Sequence, residues 1–238
     1  MEQPALSLDT CVWMKKSIKM AAKTRDLRRF VDFGRKIVAV GRNYRDHAAE
    51  LGNVVPDKPL IFLKPTSAYI EQGSKIKIPS NCSQLHHEVE LGVVIGQKGA
   101  NINEEAAMDH VGGYALALDM TDRTLQEELK KKGHPWAISK GFDTSCPVSD
   151  FIHSSSIPDP HNLKLWLKVD GVTKQEGVTS DMMFTVPFLI SYISKIMTLE
   201  EGDLILTGTP AGVSAVKEGD NITAGIEGIV EMAFSVEK

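Results

Sequence analysis

Residues 163–177, LKLWLKVDGVTKQEG, fit one local structure, two strands joined by a tight turn. Leu163, Leu165, Leu167 and Val169 fall on one face of an extended chain, because successive side chains of a strand alternate. Asp170-Gly171 is a dipeptide that tolerates the left-handed backbone of a two-residue hairpin turn. A hairpin with one apolar face must belong to a larger sheet, and the chain offers further strands. RKIVAVG (35–41), LIFLK (60–64), KIKIP (75–79), EVELGVVIG (88–96), GGYALALDM (112–120), EGDLILTGTP (201–210) and 218–237 all read as extended segments with glycine turns. Helices are fewer. They are expected over 43–51 with Asn43 as N-cap, 104–110, 121–132 stopped by Gly133, and 187–197 opened by Pro187. The elements do not alternate as βαβ units, so the expected fold is mixed α+β, mostly β, in a single domain.

Charge narrows the partners. The 238-residue chain carries a net charge of −4, and residues 1–29 alone hold +4, which leaves −8 on the remainder. An acidic body without basic-aromatic interleaving argues against nucleic acid and anionic membrane as partners. The longest apolar stretch, FTVPFLISYISKIM (184–197), is too short to span a bilayer and contains Pro187 and Lys195. Three cysteines, Cys11, Cys82 and Cys146, form no CxxC pair, so neither a disulfide framework nor a zinc knuckle is expected. The apolar neighbours of Cys146 suggest an inert buried thiol. Residues 1–34 read as a basic leader ahead of a domain over 35–238. KKSIKMAAKTRDLRR could form the amphipathic basic helix of a mitochondrial targeting segment or be a frayed leader, and Met20 could be an internal start. The expected compartment is therefore the mitochondrial matrix or the cytosol.

The chemistry-bearing residues are acids, a histidine pair and a lysine. Glu88 and Glu90 are two apart in an expected strand, so their carboxylates share a face. Asp119 ends the apolar run YALALD, at the mouth of another strand. Three carboxylates without cysteine make a hard oxygen site suited to Mg²⁺, Mn²⁺ or Ca²⁺, and the adjacent His86 and His87 are left out of the ligand set. The competing reading puts Glu88 and Glu90 on a solvated face and makes Asp119 a helix cap. His47 and Glu50, three apart on the helix after GRNY, are neighbours, as a water-activating base and its orienting carboxylate need to be. A surface His–Glu pair would look the same. Lys140 in WAISKGFDTSCP sits in an apolar, glycine-flanked setting, either as a buried cation for a substrate oxygen or as a snorkelling surface lysine. LTGTP (206–210) offers backbone N–H groups and the Thr209 hydroxyl, or is a plain strand-ending turn.

In order along the chain, GRNYRDHAAE (41–50), HHEVELGVVIG (86–96), YALALDMTDR (114–123), WAISKGFDTSCP (136–147), QEGVTSDMMF (175–184) and LTGTPAGV (206–213) resemble the fumarylacetoacetate hydrolase family. The resemblance spans about 35–237, nearly everything beyond the leader. It is greatest to the family's small one-domain members, described as acylpyruvases, oxaloacetate decarboxylases and oxaloacetate tautomerases. It implies the family's β-roll and a homodimer. It also implies Mg²⁺ or Mn²⁺ on Glu88, Glu90 and Asp119, a His47–Glu50 dyad, an active-site Lys140, and substrate contacts at Arg123, Gln126 and Thr209. Val178 stands where many relatives have a polar residue, which puts a polar contact there in doubt.

The activity so implied is metal-dependent chemistry on small 2-oxo acids through a pyruvate enolate. It comprises hydrolysis of acylpyruvates, decarboxylation of oxaloacetate and enol–keto tautomerisation of oxaloacetate. The alternatives are a hydratase or isomerase of unsaturated 2-oxo acids on the same scaffold, or a catalytically silent metal- or carboxylate-binding protein.

Overall fold

The hairpin closes through Asp170 (φ 49°) and Gly171 (φ 78°), and its arms run over Lys164–Val169 and Val172–Val178. The computed structural model describes residues 25–45 and 57–238. Among these the strands, in chain order, are β1 (Ile37–Gly41), β2 (Leu60–Lys64), β3 (Tyr69–Ile70), β4 (Lys75–Lys77), β5 (Leu85–His86), β6 (Val89–Ile95), β7 (Val111–Leu118), β8 (Thr121–Asp122), β9 (Cys146–Pro147), β10 (Ile152–His153), β11 (Lys164–Val169), β12 (Val172–Val178), β13 (Leu204–Leu206), β14 (Ala215–Val216), β15 (Asn221–Ile226) and β16 (Val230–Glu237). The α-helices are α1 (Phe30–Phe33), α2 (Arg123–Lys132), α3 (Ala137–Lys140) and α4 (Val186–Ser194). The mostly β, mixed architecture is as expected.

Two sheets carry the molecule. One has the order β10-β7-β6-β13-β1-β2, and the other β12-β11-β15-β16-β4. Leu165, Leu167, Ile222, Ala224 and Phe234 of the second sheet share a core with Val38, Val40, Val89, Leu91, Val93, Leu116 and Leu118 of the first. The opposite face of the first sheet is also covered. Ile37, Ala39, Val94, Ala115, Ala117, Leu204 and Leu206 pack there against Phe30, Ala68, Cys146 and Val148. A sheet buried on both faces explains why IVAV in β1 and LGVVI in β6 are unbroken apolar runs rather than alternating ones.

Helix α2 begins after Asp122, whose carboxylate accepts from Leu125 N at 3.1 Å, and Gly133 ends it in the left-handed conformation (φ 65°). Asp122 is thus the cap of this helix, which leaves Asp119 free for another role. Residues 104–110 form a 3₁₀ helix rather than a regular α-helix. The Asn43 side chain is engaged by distant partners. Its Oδ1 accepts from Phe184 N (2.7 Å) and its Nδ2 donates to Thr207 O (2.8 Å), tying the end of β1 to two distant loops. The helix expected over 43–51 lies largely outside the described residues, and residues 1–24 of the leader lie wholly outside them.

The last turns of that leader pack on the domain. Phe30 is buried and meets the Tyr69 ring edge-on at 5.8 Å. Leu27 lies so close to Gly112 that a Cβ there would collide with its Cδ1. Packed chain therefore begins ahead of residue 35.

Candidate metal and active site

Strand alternation decides where the acids point. In β6 and the residue before it, Val89, Leu91 and Val93 face the core between the sheets, so Glu88, Glu90 and Val94 face the other side. In β7 the same parity sends Leu116 and Leu118 to the core and Ala115, Ala117 and then Asp119 to the opposite face. The two strands are antiparallel neighbours, with Glu90 opposite Ala117 and Asp119 N donating to Glu88 O at 2.9 Å. Three carboxylates from two strands thereby meet at one end of the sheet. Each offers an oxygen within 4.8 Å of the others, and all three residues are buried.

Three cations face them. Lys140, at the end of α3, donates to Glu88 Oε2 (2.9 Å) and Asp119 Oδ2 (2.5 Å), with the Phe62 ring 5.0 Å from its Nζ. Arg123, the first residue of α2, donates through Nη2 to Glu88 Oε1 and through Nη1 to Gln126 Oε1 (2.6 Å). Lys64, at the end of β2, donates to Asp119 Oδ1 (2.7 Å), Met120 O and Lys140 O. Three acids and three bases leave the cluster near neutrality.

The carboxylates nonetheless act on one another. Burial pushes the Glu90 carboxyl well above its ordinary range, and Asp119 and Glu88 push it further; Lys140 and the Gly208 N–H oppose this. Burial alone would lower the Lys140 ammonium, but Asp119 and Glu88 outweigh it and hold the group charged. Three buried carboxylates, one of them disfavoured as an anion by its burial and its neighbours, fit a divalent ion of the Mg²⁺ or Mn²⁺ kind. The two histidines are engaged elsewhere, with His86 Nδ1 accepting from Arg123 Nε at 3.4 Å. Burial, and then Arg123, lowers His86 to about 4. His87 is also lowered by burial, and both its ring nitrogens are engaged, by Gln175 and Ser214.

The structure thus brings together Glu88, Glu90, Asp119, Lys140 and Arg123, with Gln126 joined through Arg123. Thr209 is near by, bound through its hydroxyl to Val89 O at 2.8 Å, a bond that commits the proton expected for an anionic oxygen. His47 and Glu50 lie outside the described residues. Lys64 was not anticipated. The register of β2 on β1 sets Lys64 opposite Ile37 and so on the acid-bearing face, and register is not visible in LIFLK itself. Cys146 is buried and its thiol is pushed up to about 12 by that burial, in keeping with an inert thiol.

Residues 36–237 match the family description Fumarylacetoacetate (FAA) hydrolase C-terminal, and the chain belongs to that family. It is 58% identical over 217 residues to oxaloacetate tautomerase FAHD1, mitochondrial, of Rattus norvegicus, covering 91% of this chain and 98% of that protein. It is 57% identical over 212 residues to the mitochondrial oxaloacetate decarboxylase of Dictyostelium discoideum, covering 88% and 97%. Among solved structures, fumarylpyruvate hydrolase from Pseudomonas aeruginosa in complex with Mn²⁺ and pyruvate matches with a TM-score of 0.82 and 37% identity, over 86% of this chain and 90% of that one.

Proposed function

We propose that this protein is a divalent-metal-dependent enzyme acting on small 2-oxo acids through a pyruvate-type enolate. Its reactions would be enol–keto tautomerisation of oxaloacetate, decarboxylation of oxaloacetate to pyruvate and CO₂, and hydrolysis of acylpyruvates to pyruvate and a carboxylic acid. The buried Glu88–Glu90–Asp119 trio faced by Lys140, Arg123 and Lys64 carries this reading. The tautomerase and decarboxylase relatives and the pyruvate-bound neighbour support it.

Glu88, Glu90 and Asp119 would hold the ion, Mg²⁺ or Mn²⁺, which when bound supplies Lewis-acid stabilisation of negative charge on a 2-oxo acid's oxygens. Lys140 Nζ, held protonated, places a fixed positive charge beside the developing enolate. Arg123 holds Gln126 by its Oε1, which leaves the Gln126 amide hydrogens for a substrate oxygen. Thr209 would engage substrate by exchanging its bond to Val89 O. Tautomerisation moves one proton between C3 and the C2 oxygen. Decarboxylation breaks C3–C4, releases CO₂ and returns a proton to C3. Hydrolysis alone needs an activated water, and His47, oriented by Glu50, would take its proton as it attacks the C4 carbonyl.

The test follows enol–keto conversion and pyruvate release from oxaloacetate, and pyruvate release from acetylpyruvate, with Mn²⁺, with Mg²⁺ and with EDTA. Metal-dependent turnover is expected on both substrates. His47→Ala should lose about 10²–10⁴-fold in acylpyruvate hydrolysis, as for other lost general bases, and much less in tautomerisation. A chain inert on both substrates moves the assignment to a hydratase or isomerase of unsaturated 2-oxo acids.

We also place the protein in the mitochondrion, as the relatives' names do theirs, with residues 1–34 as leader and 35–238 as catalytic domain. Residues 1–34 fused to a fluorescent protein should enter mitochondria; a purely cytosolic signal rejects the leader. The homodimer is supported by the edge strand β2, where exposed Leu63 and Ile138 flank Phe62 and Trp136. Light scattering should give twice the chain mass, and a monomer at micromolar concentration rejects it.

A further inference from the structure

We infer that Gln175 is a positioning residue that sets the Thr209 loop and the ligand strand against each other as one unit, an inference that rests on the site described above. Gln175 lies in β12, on the edge of the second sheet, and is the one fully buried residue of that strand. Its side chain crosses to the first sheet and uses all its bonding capacity there. Oε1 accepts from Val89 N at 3.1 Å and from His87 Nδ1 at 2.8 Å. Nε2 donates to Thr209 Oγ1 at 2.7 Å and to Pro210 O at 2.9 Å.

Each partner has consequences for the site. Val89 stands between Glu88 and Glu90, so its N–H fixes the backbone from which both carboxylates project. Thr209 receives the Gln175 proton and gives its own to Val89 O, which closes a ring of three bonds among Gln175, Val89 and Thr209. Gly208, next in that loop, donates to Glu90 Oε2 at 2.6 Å. Because Oε1 accepts from Val89 N, it must accept from His87 as well, so His87 carries its proton on Nδ1 and accepts from Ser214 Oγ at Nε2 (2.8 Å). Every polar atom in this chain of contacts is paired. A hydrogen-bonded unit of this kind behind a set of ligands fixes their orientation, and loss of one member is felt at the ion.

Two variants of the full chain test this. Gln175→Met keeps the volume and removes all four bonds. Gln175→Glu keeps the acceptor for Val89 N–H and loses both donors. With Mn²⁺ alone as the probe, Gln175→Met is expected to bind the ion about 10-fold more weakly than wild type. Both variants should raise KM for oxaloacetate about 10-fold at saturating Mn²⁺ and change kcat less than about threefold. Adding Thr209→Val to Gln175→Met should raise KM no further than Thr209→Val alone, since both remove the same contact.

KM losses that multiply in the double variant overturn the inference, as does a lowered melting temperature with wild-type Mn²⁺ affinity and KM. If Gln175→Met does not fold, a wild-type KM in Gln175→Glu overturns it unaided. A wild-type chain that binds Mn²⁺ but leaves oxaloacetate unchanged overturns the proposed function alone, and the Mn²⁺ titration then still decides the role of Gln175.

Discussion

Asp119→Asn is expected to lose more than about 10³-fold in turnover of oxaloacetate even with Mn²⁺ in excess, at the upper end of what loss of one electrostatic contact in an active site costs. The substitution keeps the shape of the side chain and removes one of three anionic donors. It also leaves two buried ammonium groups short of an anion, because Asp119 binds Lys64 through Oδ1 and Lys140 through Oδ2. Calorimetric titration with Mn²⁺ should show a parallel loss of affinity in Asp119→Asn. Asp119→Ala, which removes both oxygens, should abolish every activity. Near-normal turnover in either variant with excess metal would show that the ion is not held by this trio.

Lys64→Met should cost about 3–5 kcal/mol of folding stability, the usual result of removing one partner of a buried ion pair. Lys64 is almost fully buried, and its ammonium satisfies a carboxylate and two carbonyls at once. Methionine fills the space and satisfies none of them. Bound Mn²⁺ should recover part of the loss, because a divalent ion restores positive charge beside Asp119. Urea unfolding of the metal-free and Mn²⁺-loaded variant measures both effects. A stability within 1 kcal/mol of wild type would mean that Lys140 neutralises Asp119 unaided, roughly what an exposed pair would contribute. Activity should fall too, since Lys64 Nζ holds the carbonyl of Lys140 and so helps to aim it.

Much of the site was legible because strand parity is a property of sequence. E-x-E puts two carboxylates on one face wherever the segment is a strand, and the apolar run ending in Asp119 places a third at a strand mouth. Spacing alone could not say whether those faces meet solvent or each other. That depended on β6 and β7 being antiparallel neighbours; the family resemblance implied that the three acids share an ion, and the ladder from Val89 to Ile95 shows the pairing that brings them together. Lys64 and Gln175 stayed hidden for a physical reason. Each acts across a register or between sheets, and a lysine closing LIFLK or a glutamine inside VTKQEGV reads locally as an ordinary strand residue. Asn43 was legible only in part, since a good capping residue before a helical pattern gave no hint of partners at Phe184 and Thr207. The hairpin and Gly133 were readable because their determinants are contiguous.

The first sheet is buried on both sides, yet its two faces do different work. Alternate residues of β6 and β7 belong either to the layer that joins the sheets or to the layer that carries the charges. A lineage of such proteins can thus repack the joining layer without displacing a carboxylate, and exchange residues beside the carboxylates without disturbing the joining layer. Tautomerase, decarboxylase and hydrolase are names this chain's relatives and structural neighbours carry, and a framework divided in this way has room for such differences on every second residue.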